Sequence, residues 1–390
     1  MSVVEYNKDL NVAILNHRQY LEDVYASCTE LIEDLLSSFE VKSPFRMNQE
    51  AENVAARIEQ GIDILKPDKK KKKKKSERPI EDENILEEVS ALKTKLSGLT
   101  EILEKHFPGT PSLSQIRENN ASVRGRVKQY LQKIEEAFES VYSDSPHPEI
   151  LQNDTETCEV STFRPGGAGS RESTSSGHCS VLMPPHSKCY ISDVVDLNSG
   201  MGEFDVVLMD PPWTNKHVKR THTGDYKMLE DSFLVKHLPV DQLLAENGLL
   251  LTWCTNNSKH RDTVKKMMTA WKVKLLATWT WVKVTQYGEL ICNFSATKQP
   301  YEVLFIGQKL SDDDDNAMIV PDQLTIISVP SVVHSHKPPL TQLLKIIYQD
   351  NGAELSCQRK LEIFGRNLSP GWVTLGNQAC LLNIISDNKH

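Results

Sequence analysis

The chain of 390 residues is long enough for two or three domains, and its 39% apolar content supplies at least one core, which excludes a wholly disordered protein. Mean hydropathy is −0.42, and the longest apolar stretch, Gly248-Leu249-Leu250-Leu251-Thr252-Trp253-Cys254, falls well short of the ~18 residues a membrane-spanning helix needs, so no membrane association is expected. The net charge of −8 is uneven: residues 1–178 hold 24 Lys and Arg against 31 Asp and Glu, and residues 179–390 hold 21 against 22. A pI of 5.9 therefore leaves room for a local basic face in the C-terminal half.

The N-terminal run from Met1 to Asp9 lacks a basic leader before an apolar stretch, so secretion and organelle import are not expected. Apolar residues then recur at helical spacing from Tyr20 to Phe39, and more weakly from Val54 to Leu65, which predicts a helical N-terminal region over 1–66. Lys69 to Lys75 is an unbroken lysine run after Pro67 with nothing to bury, so 67–80 is read as a solvated linker. Followed by Ser76-Glu77-Arg78, it fits a nuclear import signal, a nucleic-acid arm or a merely solubilising charge run; a nucleus location is expected, with cytoplasm the alternative.

Two apolar stripes follow, Ile85, Leu86, Val89, Leu92, Leu96, Leu99, Leu103 and then Val123, Val127, Tyr130, Leu131, Ile134, Phe138, Val141, separated by Phe107-Pro108-Gly109-Thr110-Pro111. They predict an antiparallel helical hairpin over 81–142, suited to packing or to a protein partner. Residues 143–178 are rich in Ser, Pro, Gly and Thr and are read as a flexible linker. Within them Pro165-Gly166-Gly167-Ala168-Gly169-Ser170 superficially resembles a phosphate loop, but no strand precedes it. From Cys179 short β-rich runs at 206–209, 249–254, 273–284, 301–307, 325–329 and 361–364 alternate with helical patterns at 263–271 and 339–348. This predicts an α/β domain over 179–390, a mainly parallel sheet covered on both faces. The eight cysteines, Cys28, Cys158, Cys179, Cys189, Cys254, Cys292, Cys357 and Cys380, form no C-x-x-C pair; they read as reduced thiols, and no metal site is expected.

The strongest chemical signal is Phe204-Asp205-Val206-Val207-Leu208-Met209-Asp210-Pro211-Pro212-Trp213. An apolar strand delivers a carboxylate, two donor-free residues and a large aromatic to its carboxyl end, where open α/β sheets bind ligands. The exocyclic amine of adenine is a weak nucleophile whose N–H groups need acceptors; Asp210 offers a carboxylate, Pro211 a carbonyl, and Pro212 no competing N–H. Trp213 supplies a face on which a base can stack, a contact worth ~1–3 kcal/mol. The basic loop after it, with Lys216, His217, Lys219, Arg220, His222 and Lys227, would neutralise phosphates or form an ordinary solvated loop. Trp279, Trp281 and Lys283 alternate along a predicted strand and share one face, as a pocket wall or as core.

Asp210-Pro-Pro-Trp resembles the hallmark of the MT-A type N6-adenine methyltransferases, and the resemblance runs from about Cys179 to Leu382, closest to the branch named methyltransferase-like protein four, which includes nematode DNA N6-adenine methyltransferases. It implies a Rossmann-like S-adenosylmethionine-dependent methyltransferase domain, with Asp210, Pro211, Pro212 and Trp213 catalytic. His334-Ser335-His336-Lys337-Pro338-Pro339 resembles the family's Ser-His-Lys-Pro element, which implies that Lys337, with His336, holds the cofactor's carboxylate end. Leu361 to Asn367, then Pro370-Gly371-Trp372 and Leu375-Gly376-Asn377-Gln378, resemble the family's cofactor strand and loop, which implies that Arg366, Asn367, Asn377 and Gln378 face the ribose and adenine. Ile191-Ser192-Asp193-Val194 resembles the short strand whose aspartate, here Asp193, reads the cofactor's adenine. Lys216, Lys219, Arg220, Lys227, Trp281 and Lys283 are the expected nucleic-acid contacts. The expectation is methyl transfer to N6 of adenine in nucleic acid, DNA before RNA; the rivals are a non-catalytic partner subunit and a small-molecule methyltransferase. Family pseudo-enzymes lose the acidic residue of the tetrapeptide, whereas Asp210 is present here.

Overall fold

The computed structural model describes residues 3–46, 48–60, 82–142, 149–163, 179–194, 201–213, 234, 237–295, 298–310 and 317–385. The chain opens with strands β1 (Val3–Asn7) and β2 (Val12–Leu15), followed by helices α1 (His17–Val24), α2 (Glu33–Ser37), α3 (Asn48–Glu59), α4 (Glu83–Ser97), α5 (Thr100–His106), α6 (Leu113–Glu118) and α7 (Ala121–Tyr142). Then come β3 (Glu149–Gln152), β4 (Glu159–Phe163), β5 (Cys179–Met183), β6 (Lys188–Ile191), β7 (Phe204–Met209), α8 (Val240–Leu243), β8 (Leu244–Cys254), α9 (Ser258–Ala270), β9 (Val273–Lys283), β10 (Tyr301–Lys309), β11 (Thr325–Ser328), α10 (Thr341–Asp350), β12 (Lys360–Ile363), β13 (Val373–Gly376) and β14 (Ile384–Ile385). All six strands expected after residue 200 form, with ends moved by a few residues.

Eleven strands build one mixed sheet in the order β1-β2-β11-β9-β10-β8-β7-β12-β13-β6-β3, and β14, β5 and β4 form a smaller one. The centre, β8-β7-β12-β13-β6, is parallel throughout. Its strands are apolar on both faces, as burial under helices on each side demands: Val207, Met209, Leu361 and Ile363 enter one core with Val89 and Leu92 of α4 and Val264 and Met267 of α9. Val206, Leu208, Leu249 and Leu251 enter the other with Leu343, Leu344 and Ile347 of α10. β10 runs antiparallel to both β8 and β9, so its beginning, not its end, lies at the carboxyl edge of the parallel strands. The chain leaves β7 toward β8 and leaves β12 toward β13, which puts the topological switch point, the usual ligand crevice of such sheets, between β7 and β12.

Three expectations are corrected. The region 1–66 is not purely helical: β1 pairs with β2, and β2 extends the large sheet by parallel pairing with β11. Its apolar run from Tyr20 divides into α1, a 3₁₀ turn at Thr29–Ile32 and α2, because Ser27, Cys28 and Thr29 are weak helix formers. The stripes of 81–142 do not close into a two-helix hairpin: α6, capped by the reciprocal Ser112 and Gln115 bonds, intervenes. Val89 and Leu92 of α4 serve the large sheet, while Val123, Val127, Tyr130, Ile134 and Phe138 of α7 pack in a separate cluster with Leu35 and Phe39 and with Val181 of β5. Finally, 143–178 is not all linker, since β3 pairs with β6 and β4 with β5; strand pairing overrides its polar composition. The lysine run 69–75 and the segment 165–170 lie outside the described residues.

Candidate active site

Pro211 and Pro212 end β7 because neither can donate to a ladder, and Asp210 lands just past the strand with its N–H 3.4 Å from the Ile363 carbonyl of β12. It therefore sits at the switch point. Two further elements close on it. The segment between β11 and α10 delivers Lys337, whose ammonium lies 2.9 Å from Asp210 Oδ2 and 3.0 Å from Glu302 Oε2. The reversed β10 delivers Glu302, and antiparallel register pairs Glu302 with Trp281 so that Lys283, two residues on, bonds the other Glu302 oxygen. Ser335 completes the group by donating its hydroxyl to Asp210 Oδ2 at 2.6 Å, while Lys337 donates to Ser335 Oγ at 3.3 Å.

The four charged side chains alternate in sign along the chain Lys283, Glu302, Lys337, Asp210, and they are nearly buried; Lys337 and Asp210 are only 13% and 14% exposed. Burial opposes charge on Glu302, but the ammoniums of Lys283 and Lys337 outweigh it and hold the carboxyl well below its ordinary range. Burial likewise opposes charge on Lys337, and the carboxylates of Asp210 and Glu302 overcome that and push its ammonium above the usual lysine range. For Glu362 of β12, burial, reinforced by the charge of Asp210, outweighs the opposing ammonium of Lys337 and pushes its carboxyl up to about 8, so it is mostly a neutral acid at pH 7.

Trp213 is half-buried and fixed rather than free. Its indole N–H donates to the Trp253 carbonyl at 3.0 Å, and one face stacks on His260 at 5.0 Å and 21°. The Pro211 carbonyl accepts the Trp213 N–H at 2.8 Å, which leaves one of its lone pairs.

The expected cofactor residues divide. Asp193 follows β6, whose Ile191 pairs with Gly376 of β13, so Asp193, Asn377 and Gln378 line the same carboxyl edge as Asp210. Gln378 Oε1 is buried without a hydrogen-bond partner among the described residues, and Asn377 is exposed. Gly365 is required there: a Cβ would come within 2.4 Å of Thr374 Cγ2. Asn367 is half-buried beyond it. Arg366 donates Nη1 to the His334 carbonyl at 3.0 Å and lies 4.0 Å from Glu135 of α7, with its Nε buried and without a partner among the described residues. His336 departs from expectation: it turns away from Asp210, buried against His17 at 4.3 Å and Phe39 at 5.6 Å, and burial lowers its pKa to about 3. Ser335 and Lys337 on either side of it face Asp210 instead.

Trp281 is core, not an exposed stacking surface. It is 2% exposed, donates to Ser328 Oγ at 2.8 Å and meets Trp253 edge-on. Lys283 lies 4.4 Å over its ring, engaged with Glu302 rather than projecting to solvent. Lys216, Lys219, Arg220 and Lys227 lie outside the described residues. Sequence reasoning missed Glu302, Ser335 and Glu362. Ser335 stood inside the Ser-His-Lys-Pro element, and Glu302 and Glu362 were each an acid inside a predicted apolar run, 301–307 and 361–364.

A mostly parallel sheet clad in helices, with an Asp-Pro-Pro-Trp carboxylate at its switch point, defines an α/β Rossmann-like methyltransferase fold. Comparison with known families narrows this: residues 204–378 match the MT-A70 family. The chain is 38% identical over 209 residues to the human N(6)-adenine-specific methyltransferase METTL4, an overlap of 50% of this chain and 42% of the human protein. It is 32% identical over 206 residues to the DNA N6-methyl methyltransferase of Caenorhabditis elegans, covering 51% of this chain and 53% of the nematode protein. It is also 32% identical over 186 residues to the N6-methyladenosine RNA methyltransferase MTA1 of Pyricularia oryzae, covering 45% of this chain and 46% of the fungal protein. The chain thus spans about half or less of the relatives it matches.

Proposed function

We propose that this protein transfers a methyl group from S-adenosylmethionine to N6 of adenine in nucleic acid, with DNA the preferred substrate. The observation that carries the reading is Asp210, held by Lys337 and Ser335 at the switch-point end of β7 with Trp213 beside it. Once bound, the cofactor supplies the methyl as an electrophile on its sulfonium sulfur. The residues at the strand ends suit such a ligand: the ammonium of Lys337, shared with Asp210 and Glu302, places positive charge for a carboxylate, Gln378 offers a buried amide oxygen without a partner among the described residues, and Asp193 and Asn377 offer further polar groups at the same edge. The chain's part in the reaction is positioning: Asp210 and the second lone pair of the Pro211 carbonyl accept the amine's N–H groups and orient its nitrogen lone pair toward the methyl. The face of Trp213 opposite His260 would take the base.

DNA is favoured on the similarity to the nematode enzyme, while the similarity to the fungal RNA methyltransferase supports RNA as the second reading. The basic sequence from Lys216 through Lys219 and Arg220 to Lys227 would neutralise the backbone of either. The lysine run 69–75 supports a nuclear location, and the face of the N-terminal helices is the proposed place for a protein partner. Matched single-stranded DNA, duplex DNA and RNA oligonucleotides containing adenine, assayed side by side with the Asp210→Asn protein as blank, test the proposal. Transfer confined to RNA refutes the DNA preference; transfer to none, with cofactor still bound, refutes catalysis and leaves the partner-subunit role.

A further inference from the structure

Among the described residues, both polar contacts of Asp210's carboxylate fall on one oxygen. Ser335 Oγ and Lys337 Nζ approach Oδ2 at 2.6 and 2.9 Å, and among the described residues Oδ1 accepts no hydrogen bond. Ser335 reaches Asp210 from an uncommon backbone: its φ is +62°, in the left-handed region that non-glycine residues seldom adopt. That turn is held from both sides. Before it, Val332 donates its N–H to the Ser38 carbonyl at 2.8 Å and Ser331 shares a 2.6 Å hydrogen bond with Ser38; after it, His336 is seated between His17 and Phe39. A non-glycine residue kept in this conformation beside a reactive carboxylate marks strain retained at a functional position. The hydroxyl also accepts from Lys337 at 3.3 Å, so one oxygen ties the lysine and the aspartate into a fixed triangle.

We infer that Ser335 is a positioning residue, which together with Lys337 pins Oδ2 of Asp210 and leaves Oδ1 as the oxygen that accepts an N–H of the target adenine. This rests on the function proposed above. A carboxylate bound through one oxygen only by a long lysine can rotate about its terminal bond, whose torsional preference is broad; a second, short contact from a backbone-fixed hydroxyl removes that freedom. Ser335 acts through Asp210 and touches neither substrate nor methyl group.

The test is Ser335→Gly, which keeps the left-handed backbone accessible and deletes the hydroxyl, with kcat, KM for the oligonucleotide, cofactor Kd by calorimetry and melting temperature read together. The expected result is a kcat loss of ~10–100-fold, the scale of a misoriented catalytic group, with KM and cofactor Kd within about twofold of wild type, too small to matter on a tenfold-per-1.4 kcal/mol scale. Wild-type kcat in the Gly protein overturns the inference. So does a kcat loss matched by an equal loss of cofactor affinity, which makes Ser335 a cofactor-site residue through Lys337. Should the Gly protein melt early, Ser335→Ala assayed below its own transition gives the same comparison. A wild-type protein that methylates no adenine substrate overturns the underlying function and this inference together, whereas an active wild type with an unimpaired Gly variant overturns the inference alone.

Discussion

Replacing Lys337 by Ala tests the electrostatic design of the site most directly. Its ammonium is the shared partner of two carboxylates, 2.9 Å from Asp210 and 3.0 Å from Glu302, and is 13% exposed. Among the described residues, removing it leaves Glu302 with Lys283 and Asp210 with the Ser335 hydroxyl. Breaking a largely buried ion pair from one side costs ~3–5 kcal/mol, because the remaining charge stays desolvated. At roughly 2–4 °C per kcal/mol for a domain of this size, Lys337→Ala should melt about 6–20 °C below wild type near pH 7.5. The pH dependence follows from the shifts. The folded Glu302 carboxyl titrates below its ordinary 4.5, so its contribution is complete above pH 4.5 and is lost as the pH falls toward the folded value. Lys337 titrates above its ordinary 10.5, so its contribution is complete below pH 10.5 and is lost on raising the pH beyond it. The deficit of the Ala variant should therefore be full between those limits and shrink on acidification below 4.5. Differential scanning calorimetry of both proteins from pH 3.5 to 8 measures this, and a pH-independent difference, or one under about 2 °C at neutral pH, refutes the reasoning. Cofactor affinity measured in parallel should drop ~10–100-fold, the loss of a charge-assisted contact.

Asp210→Asn should abolish methyl transfer and leave cofactor affinity largely intact, because an amide can present a donor where an acceptor is needed; turnover near wild type removes Asp210 from the mechanism. Trp213→Ala should lower stability by ~2–4 kcal/mol as well as weaken oligonucleotide use, since the indole packs on His260 and bonds the Trp253 carbonyl; an unchanged melting temperature would assign the indole to the substrate alone. Glu362, ordinarily near 4.5 and raised to about 8 in the fold, costs wild type stability progressively as pH rises from about 4.5 to about 8. Glu362→Gln should thus gain on wild type across that window, and a flat difference between the two melting curves from pH 5 to 9 contradicts its burial as a neutral acid. Deleting Lys69–Lys75 should change nuclear accumulation or the salt dependence of binding without changing single-turnover methyl transfer, because the run is remote in sequence from β7; a slower chemical step in the deletion protein contradicts that.

What the residues determined by themselves was local. Apolar runs buried on two faces are recognisable without neighbours, so β7, β8, β9, β10, β11 and β12 were legible, as was the placing of Asp210 just beyond a strand stopped by two prolines. The resemblance of 334–339 and 361–378 to known elements then supplied the residues proposed to meet the cofactor. Tertiary structure decided everything that depends on which distant segments meet. Only the antiparallel setting of β10 puts Glu302 at the carboxyl edge beside Lys283, and that direction is a property of the sheet, not of the strand. His336 and Trp281 looked equivalent in sequence to their neighbours Lys337 and Lys283, yet packing takes each into the core, His336 onto His17 and Phe39 and Trp281 onto Trp253, while Lys283, on the same strand face as Trp281, lies over its ring and reaches Glu302. The N-terminal strands were invisible for the same reason: Val12-Ala13-Ile14-Leu15 is too short to declare a partner, and it becomes a strand because β11 offers an unpaired edge whose hydrogen bonds would otherwise go unmade.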